Sequence, residues 1–408
     1  MRRAIAVRWT FAAAMLPVYV LLGFLYVVPN ASETSPFGPH LVGEAQFALR
    51  VLIPLSAGAC AFLGGQLGQH LDRRADVRSW WAGMARLTWP APVAAGLAYI
   101  LIVLGVGALN GSVAALLDYR GLLMVGAGTL LTIGWSCVGL VIGSIAPPVV
   151  AALLAVVLHL LLTWLPALAT PWPRLLTGIQ YGCCGPTTVP DRAALLFSIL
   201  LSSALLMVAF AAAHSRRTAL RRGVLLGSLG LVAIVFVLAA RTLPVGAKYV
   251  LADPRPDETV CRQGKPTVCL WPENAEALPD VSSWLGSAYS SWADVAPDLP
   301  LPPRVSDAVH EAGAPGLGYR PGASRAQVQA NSAYGALVDL GGNGMCAQEV
   351  PGLQTASLWL TERAGSSTEE LQVGPDVRRL LEEVRRLPAE EQSRWLAEVT
   401  AGLRRCEA

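Results

Sequence analysis

The sequence predicts a polytopic α-helical membrane bundle of about seven spans, followed by a small α+β domain outside the cytoplasm. Three observations carry that prediction. Of the 408 residues only 14% are charged and 53% are hydrophobic, against about 25% charged in an ordinary soluble domain. Between Thr88 and Pro173 the only formal charges are Asp118 and Arg120. From about Arg241 the texture changes to Pro, Gly, Ser, Asp and Glu among shorter apolar stretches. The first two place most of the chain in lipid, where mean hydropathy of +0.48 is expected. The third requires a water-soluble tail.

Seven apolar runs approach the roughly 20 residues that cross a bilayer. They are Trp9 to Val28, about Val51 to Leu67, Pro92 to Leu109, Gly121 to Ile145, Val149 to Leu168, Ala193 to Ala213 and Val224 to Ala240. In lipid each must satisfy its backbone internally, so each is expected to be helical. Pro147-Pro148 marks a helix boundary or kink. The basic start, Arg2, Arg3 and Arg8, leads into an apolar core longer than that of a secretory signal, so it is expected to be a retained helix. Arginine placement orients the bundle. With the N-terminus inside, the inner segments hold Arg2, Arg3, Arg8, Arg73, Arg74, Arg78, Arg86, Arg216, Arg217, Arg221 and Arg222. The outer ones hold Arg120, Arg174 and Arg192, with Arg50 at a span edge. An odd number of spans then exports the C-terminus. The expected division is a membrane domain over 1–242 and an extracytoplasmic domain over 243–408.

In the tail, short strands are expected at Lys248–Leu251, Thr267–Trp271, Ala336–Leu340 and Ala356–Leu360. Glu273 to Asp294 shows helical spacing of Leu278, Val281, Leu285 and Tyr289, with Pro279 an obstacle early in it. Pro375 to Leu387 places Val377, Leu380, Leu381 and Val384 on one face. A further helix carries Pro388 in its first turn, Glu390 and Glu391 at its positive end, and Trp395, Leu396, Val399 and Leu403 on one side.

Eight cysteines are present. Cys60 and Cys137 fall in spans and Cys183-Cys184 in an outer loop. The four of the tail, Cys261, Cys269, Cys346 and Cys406, suit two disulfides in an oxidising compartment. Three connectivities are open. Cys261–Cys269 with Cys346–Cys406 is preferred, because the first pair would close a hairpin around Gly264-Lys265-Pro266. Zinc is the rival, but the spacings match no common zinc module. For Cys183-Cys184 a redox switch competes with two loop thiols or a bond to another cysteine.

Catalytic signatures are missing. Five scattered histidines and no His-Glu-x-x-His pattern give no metal centre, and no Gly-x-x-x-x-Gly-Lys-Ser/Thr loop gives a nucleotide site. No cofactor, metal or catalytic residue is expected. A net charge of +3 is too small to argue for nucleic acid. His159, in the middle of a span, is a functional candidate by position, although a neutral imidazole without an acidic partner there is more often a helix–helix hydrogen bond. No carboxylate lies within the spans, which argues against proton or sodium coupling. The stretch Gln69 to Trp89 is basic and amphipathic, with Arg73, Arg74, Arg78 and Arg86 interleaved by Trp80, Trp81 and Met84. It is either a topogenic loop or an interfacial coupling helix that takes force from a separate ATPase.

The order of spans, that basic segment after the second span, and the proline-broken Ala169–Pro190 before the sixth resemble permeases of the ABC-2 exporter type. The tail resembles one found on actinobacterial membrane proteins related to them, through Val268-Cys269-Leu270-Trp271-Pro272-Glu273, the proline-rich Pro297–Pro303, and Leu387-Pro388-Ala389-Glu390-Glu391-Gln392 with Trp395 and Leu403. The resemblance implies a permease-like subunit that dimerises, or joins a related permease, and pairs with a cytoplasmic ABC ATPase. A seventh span departs from the usual six of that family. The other expectation from the exported tail is a non-transporting membrane sensor or interaction protein.

Overall fold

The computed structural model describes residues 2–31, 36–71, 89–144, 146–169, 184–214, 252–256, 258–308, 316–340 and 349–406. The chain forms two compact units, Met1–Asp253 and Pro254–Ala408. The expected boundary at 242–243 lies outside the described residues.

The first unit is helical. Its elements are α1 (Arg2–Ala31), α2 (Gly38–Ala45), α3 (Leu49–Leu71), α4 (Pro90–Leu109), α5 (Tyr119–Gly143), α6 (Pro148–Ala169) and α7 (Arg192–His214), with a short strand β1 (Thr188–Pro190) ahead of α7. Among the described residues four stretches are long and apolar enough to cross a membrane: Trp9–Val28, Gly38–Gln66, Pro90–Leu109 and Tyr119–Gly143. Pro148–Leu161 and Ala194–Met207 are shorter apolar stretches. The second stretch begins well before the expected Val51. Pro39 opens α2 in its first turn, where the missing N–H costs nothing. A single tight turn, Gln46–Ala48, then hands α2 on to α3. Glu44 and Arg50 hid this extension in the sequence, since the Arg50 guanidinium stacks 5.1 Å above the Phe47 ring while Leu41, Val42, Ala45 and Leu49 around them are fully buried.

The seam between α3 and α5 is the tightest in the unit. Gly139 and Gly143, one turn apart on α5, meet the Ala57 and Ala61 carbonyl oxygens of α3. A Cβ added at these glycines would stand 2.2 and 2.0 Å from those oxygens. The Ser136 and Ser56 hydroxyls lie 3.0 Å apart across the same seam. Ala151 and Ala155 of α6 pack with Ala57 and Ala61 in one cluster. Small residues let backbones approach where no hydrophobic force separates helix from lipid.

The two ends of the bundle are chemically different. At one, Trp9 of α1 stands edge-on to Trp89, just ahead of α4, with ring centroids 5.4 Å apart. At the other, Gly38 of α2 abuts Ala115, and Gly43 lies against Cys184 in the approach to β1. Here β1 pairs with β2 (Ala252–Pro254), whose Ala252 and Asp253 end the first unit.

The second unit holds a three-stranded sheet in the order β3-β4-β5, from β3 (Val260–Arg262), β4 (Thr267–Leu270) and β5 (Arg304–Ser306). The β3–β4 pair is an antiparallel hairpin that sets Cys261 opposite Cys269. The β4–β5 pair is parallel. Helices α8 (Leu278–Val295), α9 (Arg325–Asp339), α10 (Leu353–Arg363), α11 (Pro375–Arg386) and α12 (Ala389–Arg404) complete it. Pro279 sits in the first turn of α8, so it starts that helix rather than obstructing one. The expected strand Thr267–Trp271 is β4, and Lys248–Leu251 lies outside the described residues.

Two expected strands are helices. Ala336–Leu340 ends α9, and Ala356–Leu360 lies inside α10. Helix α10 is the centre of the domain, with every residue from Thr355 to Thr361 buried. An element covered on all sides carries no amphipathic period, so its run of apolar and β-branched residues reads as a strand. Around it, Trp292 of α8 donates its indole N–H to the Leu360 carbonyl at 2.7 Å. Gln392 of α12 accepts from the Trp359 indole at 2.8 Å and donates to the Leu387 carbonyl at 2.8 Å.

The seam predicts an asymmetric response on α5. Gly139→Leu should cost at least about 1–3 kcal/mol and lower the thermal midpoint of the full chain in detergent. Gly126→Leu, on the same helix with open space around it, should stay within about 0.5 kcal/mol of the parent.

Candidate functional site

A polar cluster forms where the parallel strands β4 and β5 end together. Their register sets Cys269 opposite Ser306, so the next residues on each strand emerge at one edge. The Asp307 N–H extends the ladder by donating to the Cys269 carbonyl at 3.0 Å. The Asp307 carboxylate then turns back over the strand ends. One oxygen accepts the Tyr319 N–H at 2.9 Å and the other the Trp271 N–H at 3.4 Å. The segment carrying Tyr319 is already tied to β5, through the Leu317 N–H to the Ser306 carbonyl at 2.8 Å. Thus one side chain joins the exit of β4, the exit of β5 and the segment at 316–319.

Burial dominates the electrostatics of that carboxyl. Asp307 is 2% exposed, and loss of water pushes its pKa up to about 6. The Tyr319 and Trp271 N–H groups and the Asn274 side chain oppose the rise, while the negative charge of Glu273 adds to it. Burial of this kind penalises the charged form of an acid.

Beside it stands a clamp built on Arg255. Its guanidinium lies 4.2 Å above the Trp271 ring and grips both Glu273 oxygens, at 2.7 and 2.9 Å. The Arg255 side chain is 4% exposed and that of Glu273 17%. The fork of arginine matches the carboxylate in plane, and the indole covers one face of the cation. The cluster can hold a proton and fix a chain crossing. Among the described residues no group of His, Cys, Asp and Glu could hold a metal ion.

Cys261 and Cys269 form a disulfide across β3 and β4. Cys406 is disulfide-bonded, but Cys346 lies outside the described residues. Cys184 is disulfide-bonded too, which removes the reading of Cys183-Cys184 as two loop thiols. Arg73, Arg74, Arg78, Trp80, Trp81 and Arg86 lie outside the described residues. His159 is buried on α6, with its ring edge-on to Trp135 of α5 at 5.1 Å. Cys269 joins the Asp307 cluster through its carbonyl. Trp271 and Glu273 were legible as part of a tail motif. Arg255, Asp307 and Tyr319 were not, because nothing local relates residues that far apart in sequence.

Removing one partner of a buried ion pair leaves the other charge stranded, at a cost of about 3 kcal/mol or more. Glu273→Ala should therefore lower the thermal midpoint of the second unit markedly. The double substitution Arg255→Met with Glu273→Leu should recover at least about half of that loss, as a two-variant unfolding comparison will show.

Residues 268–406, spanning β4 to the end of α12, match the family described as Domain of unknown function (DUF7224). No curated protein and no solved structure matches the chain.

Proposed function

We propose that this chain is an ABC-2-like membrane (permease) subunit that works in export with a separate cytoplasmic ATPase. Its second unit faces outward, where it binds a ligand or partner or gates exit. The observation that carries the topology is the pairing of β1 with β2. Helix α7 leaves β1 and runs for 23 residues, about 34 Å at the rise of an α-helix. The chain is nevertheless back beside β1 at Ala252. On this reading the uncharged run Val224 to Ala240, which lies outside the described residues, is taken as the seventh crossing.

Charge supports the orientation. The Trp9–Trp89 end of the bundle is the end from which Arg2, Arg3 and Arg8 extend and to which Arg73, Arg74, Arg78 and Arg86 connect α3 and α4. Arg216, Arg217, Arg221 and Arg222 follow directly on α7 at that end. Tryptophans favour either interface, and an arginine excess marks the cytoplasmic one. The basic, aromatic segment Gln69–Trp89, whose residues 72–88 lie outside the described residues, is where an ATPase would dock on this reading. The described stretches Trp9–Val28, Pro90–Leu109 and Tyr119–Gly143 hold no carboxylate, and Gly38–Gln66 holds Glu44 alone, near its start. Energy from a partner's nucleotide cycle suits such a bundle better than an ion gradient.

A second reading, a non-transporting sensor or interaction protein, is favoured by one observation. The second unit has a complete core of its own, from Val268 to Leu403.

Purification from the native host in mild detergent separates the two. The transporter reading expects a stoichiometric ATPase whose hydrolysis responds to this chain. Joint replacement of Arg73, Arg74 and Arg78 by alanine should weaken its association at least tenfold, roughly 1.4 kcal/mol. Unchanged association would sink the docking surface. An extracytoplasmic protein held by the tail, with no ATPase, would establish the sensor instead.

A further inference from the structure

We propose that Asp307 is a proton-operated clamp, which fastens the segment at 316–319 more firmly onto the ends of β4 and β5 when the surrounding compartment turns acidic. The inference rests on the outward orientation proposed above, because only there does the domain meet varying pH.

The geometry sets what the proton would do. Asp307 is held by two backbone N–H groups, from Tyr319 and Trp271, with the Asn274 side chain beside them, and by no salt bridge among the described residues. Its ionised form is thus a buried negative charge balanced by dipoles alone, which is costly. The groups that face it sharpen this. Glu273, in the turn after β4, adds negative charge directly. Asp280, at the start of α8, acts on the neighbouring Tyr319. The cation beside the cluster, Arg255, lies over the Trp271 ring and grips Glu273. Protonation removes the buried charge and leaves an oxygen able to accept the Tyr319 N–H.

The sign follows from linkage. The carboxyl titrates higher in the folded domain, about 6, than its ordinary value of 3.8. A group raised in this way contributes stability that grows as pH falls through the folded value. The contribution is complete below the unfolded value and is lost again as pH rises. The junction should therefore tighten between neutral pH and about pH 5.

Hydrogen exchange of the full chain in detergent, corrected for the intrinsic rate, reads the clamp directly. Sidedness does not enter in detergent, so a failure here is distinguishable from a failure of the proposed topology. Peptides covering Val268–Asn274 and Leu317–Tyr319 should gain about tenfold protection between about pH 7.5 and about pH 5. Peptides from α10 and α12 should change less. Asp307→Asn should abolish the pH-dependent part of the gain. Glu273→Gln, which removes the adjacent negative charge and keeps Asp307, should move the midpoint to lower pH and thereby tests the clamp even where Asp307→Asn does not fold. A wild-type junction with no gain on acidification overturns the proposal. An equal gain in Asp307→Asn, or an unmoved midpoint in Glu273→Gln, does the same.

Discussion

The membrane unit depends on how closely α3 and α5 approach. Lipid is as apolar as leucine, so helices gain little by hiding leucines from it, and close backbone contact must hold them together. Gly139 and Gly143 provide that contact by leaving the Ala57 and Ala61 carbonyls where a side chain would otherwise stand. The pairing of Ser56 with Ser136 adds a hydrogen bond in a medium where few competitors exist. Helix α6 then packs its alanines on the same face of α3. Along its other face α6 leaves Val149, Leu153, Val157 and Leu161 exposed, as a lipid-facing helix should.

The second unit is organised by the opposite solvent logic. In water a buried helix such as α10 is favoured by hydrophobic burial, and its polar neighbours are then satisfied one by one. Trp292 caps the Leu360 carbonyl, and Gln392 serves the Trp359 indole and the turn between α11 and α12. Glu362 of α10 is gripped by Arg385 of α11. The Cys261–Cys269 bridge fastens the hairpin whose second strand carries the chain into the Asp307 cluster. The two functional expectations for the chain divide along the same line. The proposed transport role rests on the glycine-packed bundle, and the alternative of ligand or partner recognition on the second unit.

What could be read from sequence followed the strength of the local signal. Uncharged runs of span length are self-announcing, and α1, α4, α5, α6 and α7 lie where such runs occur. The extension of α3 back through α2 was hidden, because Glu44 and Arg50 interrupt the run although the helix continues beneath them. In the tail the amphipathic α11 and α12 were legible from one-sided patterns. The fully buried α10 was not, and neither was α9 at its apolar end. The disulfide between Cys261 and Cys269 could be expected because a turn lies between them. The junction of Arg255, Trp271, Asp307 and Tyr319 could not, since parallel pairing of β4 with β5 is a long-range event. The residues expected to meet an ATPase, from Arg73 to Arg86, lie outside the described residues.

The central proposal is that the second unit stands outside the cell. Protease treatment of right-side-out and inside-out membrane vesicles tests it most directly, with the tail followed by a C-terminal epitope. The account predicts loss of the epitope in right-side-out vesicles and its survival in sealed inside-out ones. Cleavage confined to inside-out vesicles would contradict it, leaving the run from Val224 to Ala240 on one side of the membrane and the tail in the cytoplasm.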